Sequence, residues 1–364
     1  MKISRKAKTG CAAVLAALMA VTGLSMQQTY AAKAVDLERK DCSIKISVSI
    51  GRNGDKHGND EYLEDFNAMS IPADLYRVAS VDVTGQNYET YAPFNSVDLS
   101  GINSETKASE WLDMAKTAAA KENLEAAKEA SNEGEQLYWN ETIQSGTATF
   151  TGLAPGMYLV VPETTFNLDY TVKYSFTPYL TALPSSAYTT GYDEDGNAMQ
   201  TGSDEWIYNT EIGLKPEAEP LFGRLEITKE LENFNETLGQ TTFTFLVEGR
   251  DPETGELLYS DVVSTTHEEL ASETVTLEHI PAGITVTVTE IYTGASYEAV
   301  GDIAKDVLIW SDEAVGKEVD GVTIETPAVT FQNRYNGGNR GGYGVNNQFE
   351  RENGVWEWKS GPEF

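Results

Sequence analysis

Three short stretches in the second half of the chain alternate apolar and polar residues, and each ends in a polar residue on its apolar side. They lie at 225–229, 284–290 and 329–333. Side chains of a β-strand point alternately to opposite faces, so residues of like parity share a face. The alternation therefore predicts three strands whose apolar faces also carry Lys229, Glu290 and Asn333.

These three polar residues suggest a reaction centre, because a charge or amide in an apolar interior loses its hydration without replacement. Desolvation lowers the pKa of a lysine and raises that of a glutamate. A neutral Lys229 amine could then attack the Asn333 carboxamide, with a protonated Glu290 polarising it. We predict a Lys229–Asn333 isopeptide bond formed with loss of ammonia. In the alternative, Lys229 extends to solvent and the other two are ordinary strand-end residues, but three parity matches favour the bond.

The rest of the chain has the short alternating strands and turn signals of an all-β protein, and we predict two immunoglobulin-like β-sandwich domains. Residues 104–131 differ, because apolar residues recur there at mainly helical spacing, with Ser104 or Thr106 as the N-cap. These apolar residues are Trp111, Leu112, Ala115, Ala119 and Leu124. We expect this helical insert to pack on the first sandwich rather than to bind a partner. The expected segments are a signal peptide (1–34), the first domain (35–218), the second domain (219–336), and a Gly-rich tether with an aromatic tail (337–364).

Residues 1–34 have the basic, apolar and small-residue regions of a secretory signal peptide. The apolar run is shorter than the roughly 20 residues that a membrane anchor needs. Removal of this segment leaves Cys42 alone, so no internal disulfide can form. It also takes the formal charge from -31 to -36 by removing five basic residues. Such a surface repels nucleic acid and anionic membranes. We predict a secreted or cell-surface protein without a transmembrane segment after signal removal.

Conventional enzyme motifs are absent from the sequence, including HExxH, GxSxG, CxxC and a phosphate-binding glycine loop. His57, His267 and His279 are predicted to be surface residues. Residues 193–198 resemble the start of a calcium loop, but its required sixth-position Gly is Ala198. We therefore predict a structural protein rather than an enzyme, with no cofactor and no metal. A secreted hydrolase is the least favoured alternative.

The second domain resembles a known family. The motifs at 227–229, 241–245, 277–283, 286–290 and 329–333 are similar to the isopeptide-linkage domain of Gram-positive pilins (SpaA-type), which is related to CnaB domains. The resemblance covers about residues 221–335. It implies a Lys–Asn bond with a catalytic Glu, and these roles fall on Lys229, Asn333 and Glu290.

The first domain resembles the N-terminal domain of a sortase-assembled pilin, at 75–79, 150–161 and 178–184. That family carries a motif WxxxVxVYPK whose lysine joins the next subunit. The segment 206–215 matches its spacing and makes Lys215 the candidate lysine, although Thr210, Gly213 and Leu214 depart from the pattern. An internal bond here is not favoured, because Lys45 has the opposite parity to the apolar row at 44–50. Glu163 and Asn209 would be its other members if another lysine served.

The resemblance implies an exported structural or adhesive protein of a cell surface or pilus. Its partners would be other pilus or surface subunits, or a host protein or glycan. The sequence lacks the LPxTG sorting signal of such pilins, which leaves its attachment open. A ligand-binding adhesin subunit that is not polymerised is the alternative.

Overall fold

The computed structural model describes residues 33–48, 62–103, 106–186, 189–192, 198–201, 205–251, 254–338, 348–352 and 355–359. Several expectations lie outside these residues. They concern most of the signal peptide, His57, the Ser104 cap, the calcium-like segment at 193–197 and most of the Gly-rich tether. The chain divides into two compact units. Among the described residues, the first comprises those up to Leu168 and Tyr174–Ala218, and the second comprises Asp169–Lys173 and those from Glu219 onward.

The elements up to Pro220 are mostly short strands. In chain order they are β1 (Cys42–Ser47), α1 (Leu63–Ala68), β2 (Ser70–Val81), β3 (Tyr88–Thr90), α2 (Ala108–Ala118), α3 (Lys121–Asn132), β4 (Tyr138–Gln144), β5 (Thr147–Leu153), β6 (Gly156–Pro162), β7 (Thr165–Phe166), β8 (Val172–Phe176), β9 (Tyr179–Leu183), β10 (Ser185–Ser186), β11 (Thr189–Tyr192), β12 (Ala198–Thr201), β13 (Trp206–Ile207), β14 (Asn209–Gly213) and β15 (Pro216–Pro220).

An eight-stranded sheet forms the body of the first unit. Its order is β14-β1-β5-β4-β2-β6-β9, and β3 pairs with β2. Strand β1 runs parallel to β14 and antiparallel to β5. Its alternation buries Cys42, Ile44 and Ile46, because every second residue of a strand lies on the same face.

The helical insert consists of two helices, α2 and α3, where the sequence predicted one. The N-cap of α2 is Lys107, and the Glu110 carboxylate accepts a hydrogen bond from the Lys107 amide at 2.7 Å. The cap prediction for Thr106 is therefore wrong; its hydroxyl accepts from the Asn103 amide at 2.9 Å instead. The packing prediction is confirmed, because Trp111 is buried in one cluster with residues of the sheet.

The second unit is built almost entirely of strands. They are β16 (Phe222–Leu231), β17 (Thr241–Arg250), β18 (Leu257–His267), β19 (Glu273–Pro281), β20 (Thr285–Tyr292), β21 (Tyr297–Val300), β22 (Ala304–Leu308), β23 (Glu318–Val319), β24 (Val322–Thr323), β25 (Ala328–Tyr335), β26 (Gln348–Glu352) and β27 (Val355–Lys359). The last two form an antiparallel hairpin within the predicted tail.

Two four-stranded sheets make up the sandwich of this unit. One has the order β19-β16-β25-β21 and the other β18-β17-β20-β22. Strands β16 and β25 pair in parallel, so the first and last strands of the predicted domain are neighbours. The core between the sheets is formed by the alternate residues of these strands, including Ile227, Phe245, Val288 and Phe331. The predicted all-β fold class is confirmed.

Candidate functional site

The candidate site lies inside the second unit, where its two sheets face each other. Lys229 belongs to β16 and Asn333 to the neighbouring β25. In the parallel register Lys229 is level with Phe331 and Leu231 with Asn333. Lys229 and Asn333 therefore share a face with an offset of two residues. Glu290 belongs to β20 of the other sheet and reaches the pair from across the core.

The Glu290 carboxylate bridges the other two side chains. Its Oε1 lies 2.8 Å from the Lys229 amine nitrogen Nζ. The same oxygen accepts a hydrogen bond of 2.8 Å from Nδ2 of Asn333. Nδ2 also donates to the Thr293 carbonyl oxygen at 3.1 Å. One carboxylate oxygen thus contacts both the amine nitrogen and the carboxamide nitrogen.

The site is shielded from solvent by aromatic side chains. The side chains of Lys229 and Glu290 are both 0% exposed, and Asn333 is likewise fully buried. The ring of Phe243 lies 4.7 Å from the Lys229 amine nitrogen, measured to the ring centre. Phe245 is level with Glu290 in the neighbouring strand β17. The site therefore lies in an apolar layer, where a separated charge has no water to solvate it.

Burial changes the ionisation of both charged groups. It lowers the pKa of the Lys229 amine, and the nearby Glu290 carboxylate opposes this only in part. Burial also raises the pKa of the Glu290 carboxyl group, against the effects of Lys229 and Asn333. Both shifts favour a neutral amine beside a protonated carboxyl group. A neutral amine is the nucleophilic form of lysine.

Two oxygens of the site have no hydrogen-bond partner among the described residues: Oε2 of Glu290 and the carboxamide Oδ1 of Asn333. Buried polar atoms without partners are uncommon. The sequence predicted that Glu290 polarises the carboxamide, which would require Oδ1 to face the carboxyl group. In the structure Nδ2 faces it instead. This orientation suits transfer of a proton between the two nitrogens rather than polarisation of the carbonyl.

His267 is a correction to the sequence analysis, which predicted a surface residue. It is 1% exposed, and its ring packs edge-on against Phe243 with centres 5.4 Å apart. Burial lowers the pKa of His267. The acidic residues at 268 and 269 suggested solvent exposure. The alternation of strand residues indicates burial instead, because His267 lies two residues after the buried Thr265 and so shares its strand face.

The structure brings together only part of the set considered for a bond in the first unit, because Lys45 in β1 and Asn209 in the neighbouring β14 are two positions apart in the parallel register. Lys45 is half-buried and forms an ion pair with Glu211 at 2.9 Å. Glu163, after β6, and Asn209 are exposed. Strands β6 and β14 are separated by β2, β4, β5 and β1 in the sheet. Asn209 accepts a hydrogen bond from the Ser43 hydroxyl at 2.9 Å.

Lys215, the candidate polymerisation lysine, lies between β14 and β15. It is half-buried, and its amine nitrogen is 5.3 Å from the centre of the Tyr179 ring. Within the described ranges, no three His, Cys, Asp or Glu side chains are grouped as metal ligands would be. None of the helices in the described part of the chain has the length and apolar character to cross a bilayer.

No protein-family model and no curated protein matches this chain. Among solved structures it is similar to a minor pilin of Streptococcus agalactiae (13% identity, covering 81% of this chain and 96% of that chain, TM-score 0.23). It is also similar to the major pilin SpaD of Corynebacterium diphtheriae (10%, 83% and 99%, TM-score 0.23). A third is a Mobiluncus mulieris adhesin with disulfide, isopeptide and ester cross-links (16%, 73% and 84%, TM-score 0.24).

These solved structures are pilins and adhesins, the class of protein that the sequence resembles.

Proposed function

We propose that this chain is an exported structural or adhesive protein of the cell surface or pilus type, whose second domain is stabilised by an autocatalytic Lys229–Asn333 isopeptide bond. The observation that carries the proposal is the contact of one Glu290 oxygen with both nitrogens, at 2.8 Å from Lys229 and 2.8 Å from Asn333. Full burial of all three side chains supports it, because a buried ion pair of this kind is otherwise a weak source of stability.

The reaction is an exchange of one amide nitrogen for another. The neutral Lys229 amine attacks Cγ of Asn333 and forms a new C–N bond. The protonated Glu290 carboxyl group gives its proton to the leaving nitrogen Nδ2 and takes one from the attacking nitrogen, so it ends protonated as it began. The bond between Cγ and Nδ2 then breaks and ammonia leaves, so that no external reactant is consumed. The two 2.8 Å contacts of Oε1 support this proton transfer.

A covalent bond at this position has a mechanical consequence. Strands β16 and β25 are hydrogen-bonded neighbours. They are the first and last strands of the predicted domain, and the proposed bond joins them covalently. It closes a loop of about 100 residues, for which the chain-entropy model gives a stabilisation on the order of 4.7 kcal/mol. Force applied to one strand would pass directly to the other. Cys42 is a free, buried cysteine in the structure, so the isopeptide bond would replace disulfides as the covalent cross-link.

The proposed location and role rest on sequence features together with this site. The signal-peptide pattern supports export, and the pilin motifs support a structural or adhesive role at the cell surface. Partners would be other subunits of a surface assembly, or a host protein or glycan. Lys215 is the candidate for covalent attachment to such a subunit.

Intact mass of the purified chain tests the proposed bond. We expect the wild-type mass to fall short of the sequence mass by one ammonia, and peptide mapping to find the peptides of Lys229 and Asn333 linked. Glu290→Gln should restore the sequence mass while keeping the side-chain size. Lys45→Gln, which removes a half-buried lysine of the first unit, is the matched control and should still lose ammonia. A wild-type mass equal to the sequence mass, in a chain shown to be folded by circular dichroism, would refute the bond.

A further inference from the structure

A second lysine closes the edge of the sandwich beside the candidate site. Lys305 lies in β22, the edge strand of the sheet that carries Glu290. Its amine nitrogen Nζ donates a hydrogen bond of 2.6 Å to the Thr330 carbonyl oxygen in β25 of the opposite sheet. The same nitrogen lies 5.1 Å from the centre of the Phe331 ring. Lys305 therefore spans from one sheet to the other.

Phe331 connects this lysine to the reacting residues. It is level with Lys229 in the parallel register and lies on the same face. Its ring packs on Phe245 with centres 5.1 Å apart, and Phe245 is level with Glu290. The two rings thus form a layer directly beside the Lys229–Glu290 pair. Lys305 covers this layer at the sheet edge and places a positive charge over it, at a distance where cation–π attraction operates.

We propose that Lys305 is a positioning residue for formation of the Lys229–Asn333 bond, holding the two sheets together at Phe331 and supplying a positive charge that keeps the Lys229 amine neutral. This inference rests on the proposed isopeptide function. A neighbouring cationic group is one of the ways by which proteins activate a lysine nucleophile. Lys305 does not contact the reacting atoms, so its contribution passes through Phe331 and through the electrostatic potential at Lys229.

The electrostatic contribution of Lys305 to bond formation depends on how many protons the Lys229–Glu290 pair holds. The pair is reactive with one proton shared between Lys229 and Glu290, and a second proton converts the amine into an unreactive ammonium group. Burial lowers the pKa of the Lys229 amine most, and the Lys305 charge lowers it further. Lys305 therefore disfavours the second proton and extends reactivity to lower pH.

Other charged groups around the site do not supply this effect. Glu290 faces Lys229 from β20 and acts in the opposite direction. His267 faces the Phe243 ring from β18, and burial lowers its pKa, which favours the uncharged ring. On its own strand, Lys305 is followed by Asp306, which accepts a hydrogen bond of 2.6 Å from the Thr287 hydroxyl. Because adjacent residues of a strand lie on opposite faces, Asp306 lies on the other face of β22 from Lys305.

The rate of bond formation can be measured from the unfolded chain. Full-length protein purified in denaturant is refolded by dilution at a series of pH values, and the fraction that has lost ammonia is followed by intact mass. Three variants separate the contributions of Lys305. Lys305→Arg keeps the charge and a donor, Lys305→Gln keeps a donor without charge, and Lys305→Met keeps the side-chain length with neither. Circular dichroism of each sample confirms refolding.

We expect Lys305→Arg to follow the wild-type profile. Lys305→Gln should shift the acid limb of the rate profile to higher pH by about half a unit or more, as expected for loss of a nearby charge at an effective dielectric of about 20. Lys305→Met should show the same shift and a lower rate at every pH.

Variant profiles that superimpose on the wild type would overturn the inference, as would a uniform slowing of Lys305→Gln without a shift. These outcomes differ from failure of the proposed function, in which the wild type itself never loses ammonia.

Discussion

The Lys128 amine nitrogen lies 2.8 Å from the Asp74 carboxylate, which is also the distance between Lys229 and Glu290. Asn140 completes the likeness, because its Nδ2 donates to Asp74 at 2.7 Å. The first unit therefore contains the same combination of lysine, carboxylate and asparagine as the candidate site. The two sites differ in burial, since the Lys128 side chain is 43% exposed whereas that of Lys229 is 0% exposed.

Exposure keeps the Lys128 site in its charged form. Burial by itself raises the pKa of Asp74. The hydrogen bonds from Lys128, Asn140, Tyr76 and Tyr138 outweigh this effect, so the pKa of Asp74 is lowered overall. Burial also opposes the effect of Asp74 on Lys128, but the pKa of this amine is raised overall. An ammonium group is not a nucleophile. We therefore expect peptide mapping to find Lys128 and Asn140 unlinked in a chain that has lost one ammonia in total. A second loss of ammonia, mapped to these residues, would show that burial does not decide between an ion pair and a bond.

The Asp74 network should anchor the helical insert in a pH-dependent way. The unfolded value of an Asp pKa is about 3.9, and the folded value is lower. The stabilisation is therefore complete above pH of about 3.9 and is lost as the pH falls through the folded pKa. Trp111, a buried residue of α2 within the insert, reports the release.

We expect a red shift of tryptophan emission on acidification that is absent in Trp111→Phe. Asp74→Asn should release the insert at neutral pH, at a cost of roughly 1.5–3 kcal/mol for hydrogen bonds to a charged group. Glu163→Gln, an exposed carboxylate of the same unit, serves as the control. An emission spectrum of Asp74→Asn identical to that of the wild type would contradict the anchoring role.

Parity was sufficient to find the candidate site from the sequence. In a sandwich one face of each strand is buried, so Lys229, Glu290 and Asn333 could be assigned to the core by counting in twos. Their contacts could not be predicted in this way, because Glu290 comes from the facing sheet and the register between sheets is set by tertiary packing. The Lys305 bridge to Thr330 is a long-range contact of the same kind.

The helical insert shows a different limit of sequence reasoning. The break at Ala119 and Ala120 carries no Gly or Pro, so propensity favoured one continuous helix. A side-chain contact stabilises the break, since Nδ2 of Asn123 donates to the Thr117 carbonyl oxygen at 2.8 Å. This bond adds to the one that the Ala120 amide donates to the same carbonyl oxygen at 3.3 Å, in the last turn of α2 where intrahelical partners end. Asn123 was the available signal in the sequence, although an Asn within a helical pattern is compatible with several roles.

His267 should make the stability of the second unit depend on pH. Burial lowers its folded pKa, whereas the unfolded value is about 6.5. Below this pH the unfolded chain binds a proton that the folded chain does not, so the free energy of unfolding falls as the pH decreases towards the folded pKa. His267→Phe keeps an aromatic ring against Phe243 and should remove this dependence.

Urea unfolding at pH values from 7 to 5 provides the measurement. The exposed His279 gives a control in His279→Asn, which should retain the wild-type pH dependence. An unchanged slope of stability with pH in His267→Phe would show that His267 does not titrate on unfolding.

Lys215 offers a test of polymerisation in the native host. If its amine joins another subunit, surface extracts should contain covalent ladders of high mass that resist denaturant. Lys215→Ala should abolish these ladders, whereas the control Lys45→Ala, at another half-buried lysine of the first unit, should not. Ladders that persist in Lys215→Ala would reject Lys215 as the attachment lysine, and they would leave the internal bond of the second domain unaffected.

The proposed bond should account for a large share of the second unit's stability. Because the site lies in an apolar layer, apolar replacements of its side chains can separate the contribution of the bond from that of side-chain packing. Glu290→Gln prevents the bond but leaves the Lys229 amine buried beside a neutral group, so its destabilisation combines both effects.

Replacing all three side chains, as Lys229→Met, Glu290→Leu and Asn333→Leu, removes the buried polar groups together. Well-packed apolar replacements of a buried ion pair are often neutral or stabilising. The triple variant should therefore be more stable than Glu290→Gln and still less stable than the wild type, by up to about 4.7 kcal/mol for a loop of about 100 residues. Hydrogen exchange of peptides from the second unit, followed through a urea series, measures this difference. A triple variant as stable as the wild type would mean that the fold of this unit does not depend on a covalent link between β16 and β25.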